Sequence, residues 1–220
     1  YLDHAATSFP KPREVIDKMV EDFSRLGVSP GRGSYDLAME SAELVFQARK
    51  KIAEFFGASD PERVIFTANA TDALNLAIQG LVGKGDHVIS TRLEHNSVLR
   101  PLFHLQKQLG VELDLVGFDE QGRVRVEEIE KAIKANTKLV ICTHASNVLG
   151  TVQPVAAIAE MCAGYGIPLL IDTAQSAGHI PVEMDKWKIA ALAFTGHKAL
   201  LGPTGTGGLI LSPTLEVRPT

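Results

Sequence analysis

Polar side chains follow the ends of short apolar runs at five places in this sequence. Such runs predict buried strands, and ligands of parallel α/β sheets bind outside the carboxyl ends of the strands. The residues directly after each run are therefore the first candidates for chemistry. The five polar junctions read Asn69-Ala70-Thr71-Asp72, Glu94-His95-Asn96-Ser97, His144-Ala145-Ser146-Asn147, Asp172-Thr173-Ala174-Gln175 and Thr195-Gly196-His197-Lys198.

Lys198 is the first candidate, because it follows an apolar run at residues 190–194 that would partly desolvate its amine. Desolvation lowers the pKa of an ammonium, and an amine nucleophile needs a lowered pKa. A lone lysine at a strand end more often extends its charge into solvent. Asp172 favours a buried position for Lys198. It ends another apolar run, and a buried carboxylate without a cationic partner costs free energy.

An amine and a carboxylate that face each other across a pocket suit pyridoxal phosphate. The lysine then forms a Schiff base with the cofactor aldehyde, while the aspartate keeps the pyridine nitrogen protonated so that the ring can accept electrons. Taken alone, Asp172 is explained equally well as a helix N-cap or as an ordinary ion pair with Lys198. The residues at the remaining junctions separate these interpretations.

A phosphate group binds to backbone N–H groups at a helix N-terminus and to nearby hydroxyls. Ala70 and Thr71 open a predicted helix directly after the first strand, so Thr71 is the natural phosphate ligand. A plain capping role for Thr71 is compatible with that function. Thr195 offers a second hydroxyl, and His197 offers a third contact.

Three further side chains at strand ends complete the candidate set. The flat imidazole of His95 could stack on a heteroaromatic ring while one nitrogen handles a substrate proton, although a single histidine is more often a surface or cap residue. The amides of Asn147 and Gln175 could hydrogen-bond a ring hydroxyl or a substrate carboxylate, or could simply shape turns.

Other motifs that bind phosphate or metal are incomplete. The glycine-rich run at residues 202–208 lacks the Lys-Ser/Thr of a P-loop and joins two strands, so it indicates a tight turn near a ligand or a partner subunit. The seven histidines form no H-x-H or H-x-x-x-H pair, and no metal site is expected. Cys142 and Cys162 lie in apolar contexts typical of core residues.

The hydrophobic pattern predicts repeated β-α-β units that would position these residues. Strands are predicted at 64–66, 87–91, 112–116, 138–143, 167–171, 190–194 and 208–211, and helices at 12–26, 35–56, 71–81, 97–109, 126–136 and 155–164. Runs that are apolar on both faces predict a parallel sheet covered on both sides. The last two strands should pair antiparallel, because a parallel crossover needs about a dozen residues. The fold class is therefore α/β, with a mostly parallel seven-stranded sheet sandwiched by helices.

Composition limits the possible partners. The 220 residues carry 22 Lys and Arg against 26 Asp and Glu, with both signs interspersed and a net charge of −4. This distribution indicates a soluble globular chain and predicts neither nucleic acid nor a membrane surface as a partner. Two cysteines without a C-x-x-C spacing exclude a disulfide framework and favour a reducing, cytoplasmic location.

Six motifs in register resemble the cysteine desulfurases, in the class V aminotransferase group of fold-type I pyridoxal phosphate enzymes. They are Tyr-Leu-Asp-His-Ala-Ala-Thr at residues 1–7, Glu94-His95, Ser146-Asn147-Val148-Leu149-Gly150, Asp172-Thr173-Ala174-Gln175, Thr195-Gly196-His197-Lys198 and Gly202-Pro203-Thr204-Gly205. Pro30-Gly31-Arg32-Gly33 is similar to a branch labelled only "cysteine desulfurase family protein". Position 4 departs from the pattern, since relatives often carry Asn, Ser or Tyr where this chain has His4.

The resemblance implies a fold-type I large domain that binds pyridoxal phosphate, with roles matching those derived from the residues. It implies a Schiff-base lysine, a partner of the pyridine nitrogen and a ring-stacking acid/base, which are Lys198, Asp172 and His95. Further contacts to the ring, the substrate and the phosphate are implied for Gln175, Asn147, Ala70, Thr71, Thr195 and His197.

The resemblance also implies a division into domains and an activity. Residues 1–34, an N-terminal segment with the first helix, would pack with a small domain, and residues 35–220 would form the cofactor-binding large domain. Family members continue into that small domain, which supplies a nucleophilic cysteine and an arginine for the substrate carboxylate. The implied reaction removes sulfur from L-cysteine to give L-alanine and an enzyme persulfide, in a homodimer that passes sulfur to an acceptor protein. This chain alone is expected to be inactive.

Two alternatives stay open at this point. A class V aminotransferase or a selenocysteine lyase would share the same cofactor residues. A non-catalytic fragment or scaffold is an alternative of another class, and the presence of Lys198, Asp172 and His95 together argues against it, because a scaffold has no physical need for all three.

Overall fold

The computed structural model describes residues 1–218, in which a seven-stranded sheet carries helices on both faces. The last two residues of the predicted 35–220 unit lie outside the described residues. The strands are β1 (Val64–Thr67), β2 (His87–Thr91), β3 (Glu112–Val116), β4 (Thr137–Thr143), β5 (Leu169–Asp172), β6 (Ala191–Thr195) and β7 (Gly207–Leu211). The helices are α1 (Arg13–Leu26), α2 (Asp36–Phe55), α3 (Ala70–Leu81), α4 (Asn96–Leu109), α5 (Val126–Lys131) and α6 (Val155–Gly164).

The sheet has the strand order β1-β7-β6-β5-β4-β2-β3. Neighbouring strands run parallel except at β7, which pairs antiparallel with both β1 and β6. The predicted α/β class and the antiparallel pairing of the last two strands are confirmed. Because β7 runs against its neighbours, its first residue, Gly207, lies opposite Thr195 at the end of β6.

Alternating side chains of the central strands pack into two separate cores. In β4, Val140 and Cys142 belong to the cluster shared with α2, α5 and α6, whereas Leu139 and Ile141 belong to the cluster shared with α3 and α4. All four side chains are fully buried. Helices on both faces thus explain why these four consecutive positions of the strand are all apolar.

The predicted helix at 126–136 is too long, because α5 ends at Lys131. The chain leaves the helix in a turn in which the Lys134 N–H donates to Thr137 Oγ1 at 2.7 Å. The Asn136 carbonyl accepts from the His87 N–H at 2.9 Å. These bonds draw the chain into β4 instead of continuing the helix.

The predicted strand at 167–171 is displaced towards the site, since β5 spans Leu169–Asp172. The Ile167 N–H donates to the carbonyl of Cys162 at 3.0 Å, so Ile167 closes the end of α6. Pro168 has no N–H with which to join the sheet. The displacement makes Asp172 the last residue of the strand.

Four apolar residues of α1, Ile16, Met19, Val20 and Phe23, form a stripe that faces solvent. The helix forms as its periodicity predicts, but Leu26 is its only buried residue. Phe23 is 78% exposed, and Ile16, Met19 and Val20 are also exposed. The stripe is therefore open to a partner. Of the described helices, none is both long and apolar enough to cross a membrane.

Candidate functional site

A cavity of about 370 Å³ opens at the carboxyl ends of the parallel strands. Its volume lies within the range of about 300–1,000 Å³ that is typical of small-molecule sites. The ends of β4, β5 and β6 contribute Thr143, Asp172 and Thr195 to its wall. All nine residues predicted from the sequence line this one cavity: Ala70, Thr71, His95, Asn147, Asp172, Gln175, Thr195, His197 and Lys198.

Asp172 is a buried carboxylate at the end of β5. Its side chain is 4% exposed, and Oδ1 accepts a hydrogen bond from the Ala174 N–H at 2.8 Å. Burial raises the pKa of Asp172, while the Ala174 N–H and the positive charges of Lys198 and His95 act in the opposite direction. A cation placed near this carboxylate would favour its ionised form.

Lys198 is half-buried in the cavity wall. Burial lowers the pKa of its amine, and the charge of Asp172 opposes that effect. In the part of the chain that the structure describes, the two groups influence each other through space and form no ion pair. The ordinary ion pair considered for Asp172 is therefore not formed, which leaves both groups free to face a ligand.

A strained turn holds Lys198. The Gly202 N–H donates to the Gly196 carbonyl at 2.8 Å, and the Leu201 N–H donates to the Lys198 carbonyl at 2.9 Å. Leu201 has φ 62°, in the left-handed region that non-glycine residues rarely adopt. Such strain persists only where the surrounding structure enforces it, and it is common at functional sites.

The N-terminus of α3 forms the anion-binding end of the cavity. Ala70 and Thr71 line the cavity at the positive end of the helix dipole, and Asn69 Oδ1 caps the Asp72 N–H at 2.8 Å. A Cβ on Gly207 would lie 2.7 Å from Asn69 Cα. Only glycine lets β7 start this close to the helix, which agrees with the tight turn predicted there.

Thr195 and His197 line the cavity, but their polar atoms also have partners within the chain. Thr195 Oγ1 donates to the Thr206 carbonyl at 3.3 Å, and His197 Nδ1 lies 3.0 Å from Thr7 Oγ1. Burial, followed by the charges of Lys198 and Lys11, lowers the pKa of His197. The neutral imidazole is therefore favoured beside the other cations.

His95, Asn147 and Gln175 line the cavity from three different turns. His95 Nδ1 accepts from the Ser97 N–H at 3.2 Å, so this histidine caps α4 while its exposed ring borders the cavity. Asn147 is exposed in the turn after β4. Gln175 commits one amide N–H to the carbonyl of Ala5 at 3.0 Å.

Two buried titratable groups that adjoin cavity-lining residues in the sequence, Glu94 and His144, were not predicted. Glu94 Oε1 accepts from Thr91 Oγ1 at 2.7 Å and from the Thr143 N–H at 2.8 Å. Burial, with a contribution from the charge of Asp172, raises the pKa of Glu94 to about 8. Burial lowers the pKa of His144 to about 4. The sequence signalled them only by their place in two polar junctions and, for Glu94, by the family motif Glu94-His95.

The N-terminal segment was also missed as part of the site. Ala5 and Ala6 line the cavity, and Thr7 and Ser8 hydrogen-bond the loop that carries Lys198. The sequence had marked this stretch only through its similarity to a family motif.

Neither thiol lines the cavity. Cys142 and Cys162 are buried, and burial raises the pKa of both thiols, that of Cys162 to about 12. A reactive thiolate needs an exposed, electropositive setting, so both act as core residues, as predicted. Residues 1–218 contain no group of three or more His, Cys, Asp or Glu placed to hold a metal ion.

Comparisons with known proteins show which family this chain is similar to. The family model for class-V aminotransferases matches residues 1–219. A probable cysteine desulfurase from Methanothermobacter thermautotrophicus is 40% identical over 217 residues, which are 98% of this chain and 54% of that protein. The chain thus spans about half the length of the curated relatives that it matches.

Solved structures share the same architecture. The apo structure of a cysteine desulfurase from Thermococcus onnurineus NA1 superposes with a TM-score of 0.90 at 35% identity, covering 97% of this chain and 53% of that chain. A structure described as SspA in complex with cysteine superposes with a TM-score of 0.88 at 31% identity, covering 96% of this chain and 60% of that chain.

Proposed function

The chain belongs to the class-V aminotransferase family, and from this premise we propose that it is the pyridoxal phosphate-binding part of a cysteine desulfurase. The observation that carries the proposal is the single cavity that brings together the Lys198 amine, the Asp172 carboxylate and the α3 N-terminus. The whole protein would remove sulfur from L-cysteine to give L-alanine and an enzyme persulfide. The names of the relatives and the cysteine complex of a similar structure support this substrate.

The chemistry of the cavity fits this cofactor. Lys198 offers an amine whose pKa is lowered by burial, as attachment to an aldehyde requires. Asp172 offers a buried carboxylate for a protonated ring nitrogen. Ala70 and Thr71 offer a helix N-terminus for the phosphate.

When bound, pyridoxal phosphate supplies an aromatic ring that accepts electrons from the amino acid. The chain's own residues then hold and move protons. Asp172 would hold the protonated ring nitrogen, whose positive charge would keep the carboxylate ionised despite burial. The Lys198 amine would anchor the cofactor and would hold a proton on Nζ whenever it is not attached. His95, exposed at the cavity edge, can take a proton from the incoming substrate amine.

The sulfur-accepting cysteine is proposed to lie outside this chain. Cys142 and Cys162 are buried with raised thiol pKa values, so neither suits a nucleophile.

The chain is proposed to consist of an N-terminal segment, residues 1–34, and a cofactor-binding large domain, residues 35–220. The exposed stripe of α1 gives the N-terminal segment an apolar face for a small domain. The chain alone would hold cofactor without desulfurating. A cytoplasmic homodimer that passes sulfur to an acceptor protein completes the proposal.

The test is to incubate the full-length protein with pyridoxal phosphate, L-cysteine and dithiothreitol, without a 2-oxo acid, and to measure alanine and the sulfide that dithiothreitol releases by reducing the persulfide. Formation of both, lost in Lys198→Ala and kept in Lys51→Ala, supports the proposal, because Lys51 is an exposed lysine on α2. Product that appears only with a 2-oxo acid indicates an aminotransferase. Turnover of selenocysteine alone indicates a lyase, and bound cofactor without turnover of any of these indicates a scaffold.

A further inference from the structure

We propose that residues 5–11 form a strap that positions the Lys198 amine, and that Lys11 is its main positioning residue. The inference rests on the proposed function in one respect, because it takes Lys198 as the anchor of the cofactor. The strap connects to the Lys198 turn on one side and to the Asp172 turn on the other.

The strap converges on one peptide group, the one directly before Lys198. The carbonyl oxygen of His197 accepts hydrogen bonds from the Ser8 N–H at 3.2 Å, from Ser8 Oγ at 3.1 Å and from Thr7 Oγ1 at 3.0 Å. Lys11 Nζ donates to the same oxygen. The His197 ring adds a contact between Nδ1 and Thr7 Oγ1 at 3.0 Å.

A second attachment joins the strap to the opposite side of the cavity. Gln175 Nε2 donates to the Ala5 carbonyl at 3.0 Å, and Gln175 lies three residues after Asp172. Ala5 and Ala6 themselves line the cavity. The strap therefore links the turn that carries the carboxylate to the turn that carries the amine, and so restrains the separation of the two groups.

The partners of Lys11 are unusual for a lysine. Lys11, partly exposed at the end of the strap, donates from Nζ to the His197 carbonyl and to Ser8 Oγ at 2.6 Å. Lys18, the next lysine along the chain, instead pairs with the carboxylate of Asp22 at 3.0 Å. An ammonium directed at a carbonyl forms a charge-assisted hydrogen bond, which is stronger than a neutral one and fixes the orientation of that peptide.

The fixed peptide limits where the Lys198 amine can go. This peptide group stands at the start of the strained turn, whose end is held by hydrogen bonds from the Gly202 and Leu201 N–H groups. The backbone on both sides of Lys198 is therefore restrained. The amine can then move only through the torsions of its own side chain. Without Lys11, the turn would loosen and Nζ would gain access to water, where its pKa would return towards the ordinary value.

The first experiment measures the amine without any cofactor. The full-length protein is acetylated with trace acetic anhydride across a pH series, and mass spectrometry of the peptide that contains Lys198 gives the titration of its amine. We expect Lys198 to titrate below the ordinary pKa of a lysine in the native protein, because burial lowers its pKa. Lys11→Met should move the Lys198 midpoint towards that ordinary value, Lys11→Arg should restore the native midpoint, and Lys51→Met, at an exposed position on α2, should leave it unchanged. An unchanged midpoint in Lys11→Met would overturn the inference, because a merely structural role would leave this titration in place.

The second experiment measures cofactor affinity through the visible absorbance band that forms with added pyridoxal phosphate. We expect Lys11→Met to weaken binding about tenfold, as when about one molecule in ten holds the Lys198 turn in the binding-competent form, while Lys11→Arg stays close to native. Should Lys11→Met fail to fold, Thr7→Val, which keeps its shape and removes both contacts to His197, takes its place under the same criteria. A native protein that forms no band refutes the proposed function, whereas native binding matched by the strap variants refutes the strap alone.

Discussion

Glu94 makes the stability of this fold depend on pH in a direction that can be measured. Its ordinary pKa of 4.5 rises to about 8 in the folded protein, first because of burial and then because of the charge of Asp172. Between these values the native state holds a proton that the unfolded chain has released. The free energy of unfolding should therefore fall as pH rises, by about 1.4 kcal/mol per pH unit, and level off above about pH 8.

The substitution Glu94→Gln isolates this contribution. Glutamine keeps an Oε1 that can accept from Thr91 Oγ1 and from the Thr143 N–H, and it cannot ionise. Relative to the native protein, we expect the variant to gain about 4 kcal/mol of unfolding free energy between about pH 5 and about pH 8.

Urea unfolding, followed by circular dichroism at several pH values, gives the difference between the two proteins directly. Glu94→Ala is the control: it leaves the Thr91 hydroxyl and the Thr143 N–H without their acceptor, so it should be destabilised at every pH. A Gln variant whose stability differs from native by the same amount throughout the series would show that Glu94 is ionised in the fold, and would refute the reasoning.

Three further predictions concern buried positions of the fold. Burial lowers the pKa of His144 from 6.5 to about 4, so native stability should fall by about 3 kcal/mol on acidification through this window, and His144→Phe should abolish that dependence in urea unfolding. Cys142 and Cys162 should resist iodoacetamide in the folded protein and react in urea, as mass spectrometry would record. Alkylation of either thiol at the rate of a free cysteine would contradict their burial. Gly207→Ala would place a Cβ against the Asn69 backbone, and thermal unfolding should show a loss of about 1–3 kcal/mol, whereas an unchanged Tm would mean that the turn adapts freely.

The convergence of the nine site residues could be predicted from the sequence, because the carboxyl ends of parallel strands meet at one edge of a sheet. Each candidate needed only to follow an apolar run, which a pattern reveals locally. The contacts of the strap could not be predicted in this way, since Thr7 and His197 lie 190 positions apart. The protonation of Glu94 likewise depends on burial against Thr143, which only the folded sheet supplies.

Local backbone chemistry explains why the predicted bounds of α5 and β5 were wrong. Thr137 accepts from the Lys134 N–H and ends the helical region early, and Pro168 delays the start of β5. The apolar stripe of α1 shows a different limit of prediction from sequence. Its periodicity predicts an amphipathic helix correctly, but periodicity cannot say what covers the apolar face.

The role of Lys198 as the covalent anchor can be tested most directly by trapping. The full-length protein is mixed with pyridoxal phosphate and reduced with borohydride, and the modified peptide is identified by mass spectrometry. We expect the label on Lys198, at one equivalent per chain, and none at this site in Lys198→Ala. A label confined to exposed lysines such as Lys51, equal in the native protein and in Lys198→Ala, would contradict the assignment.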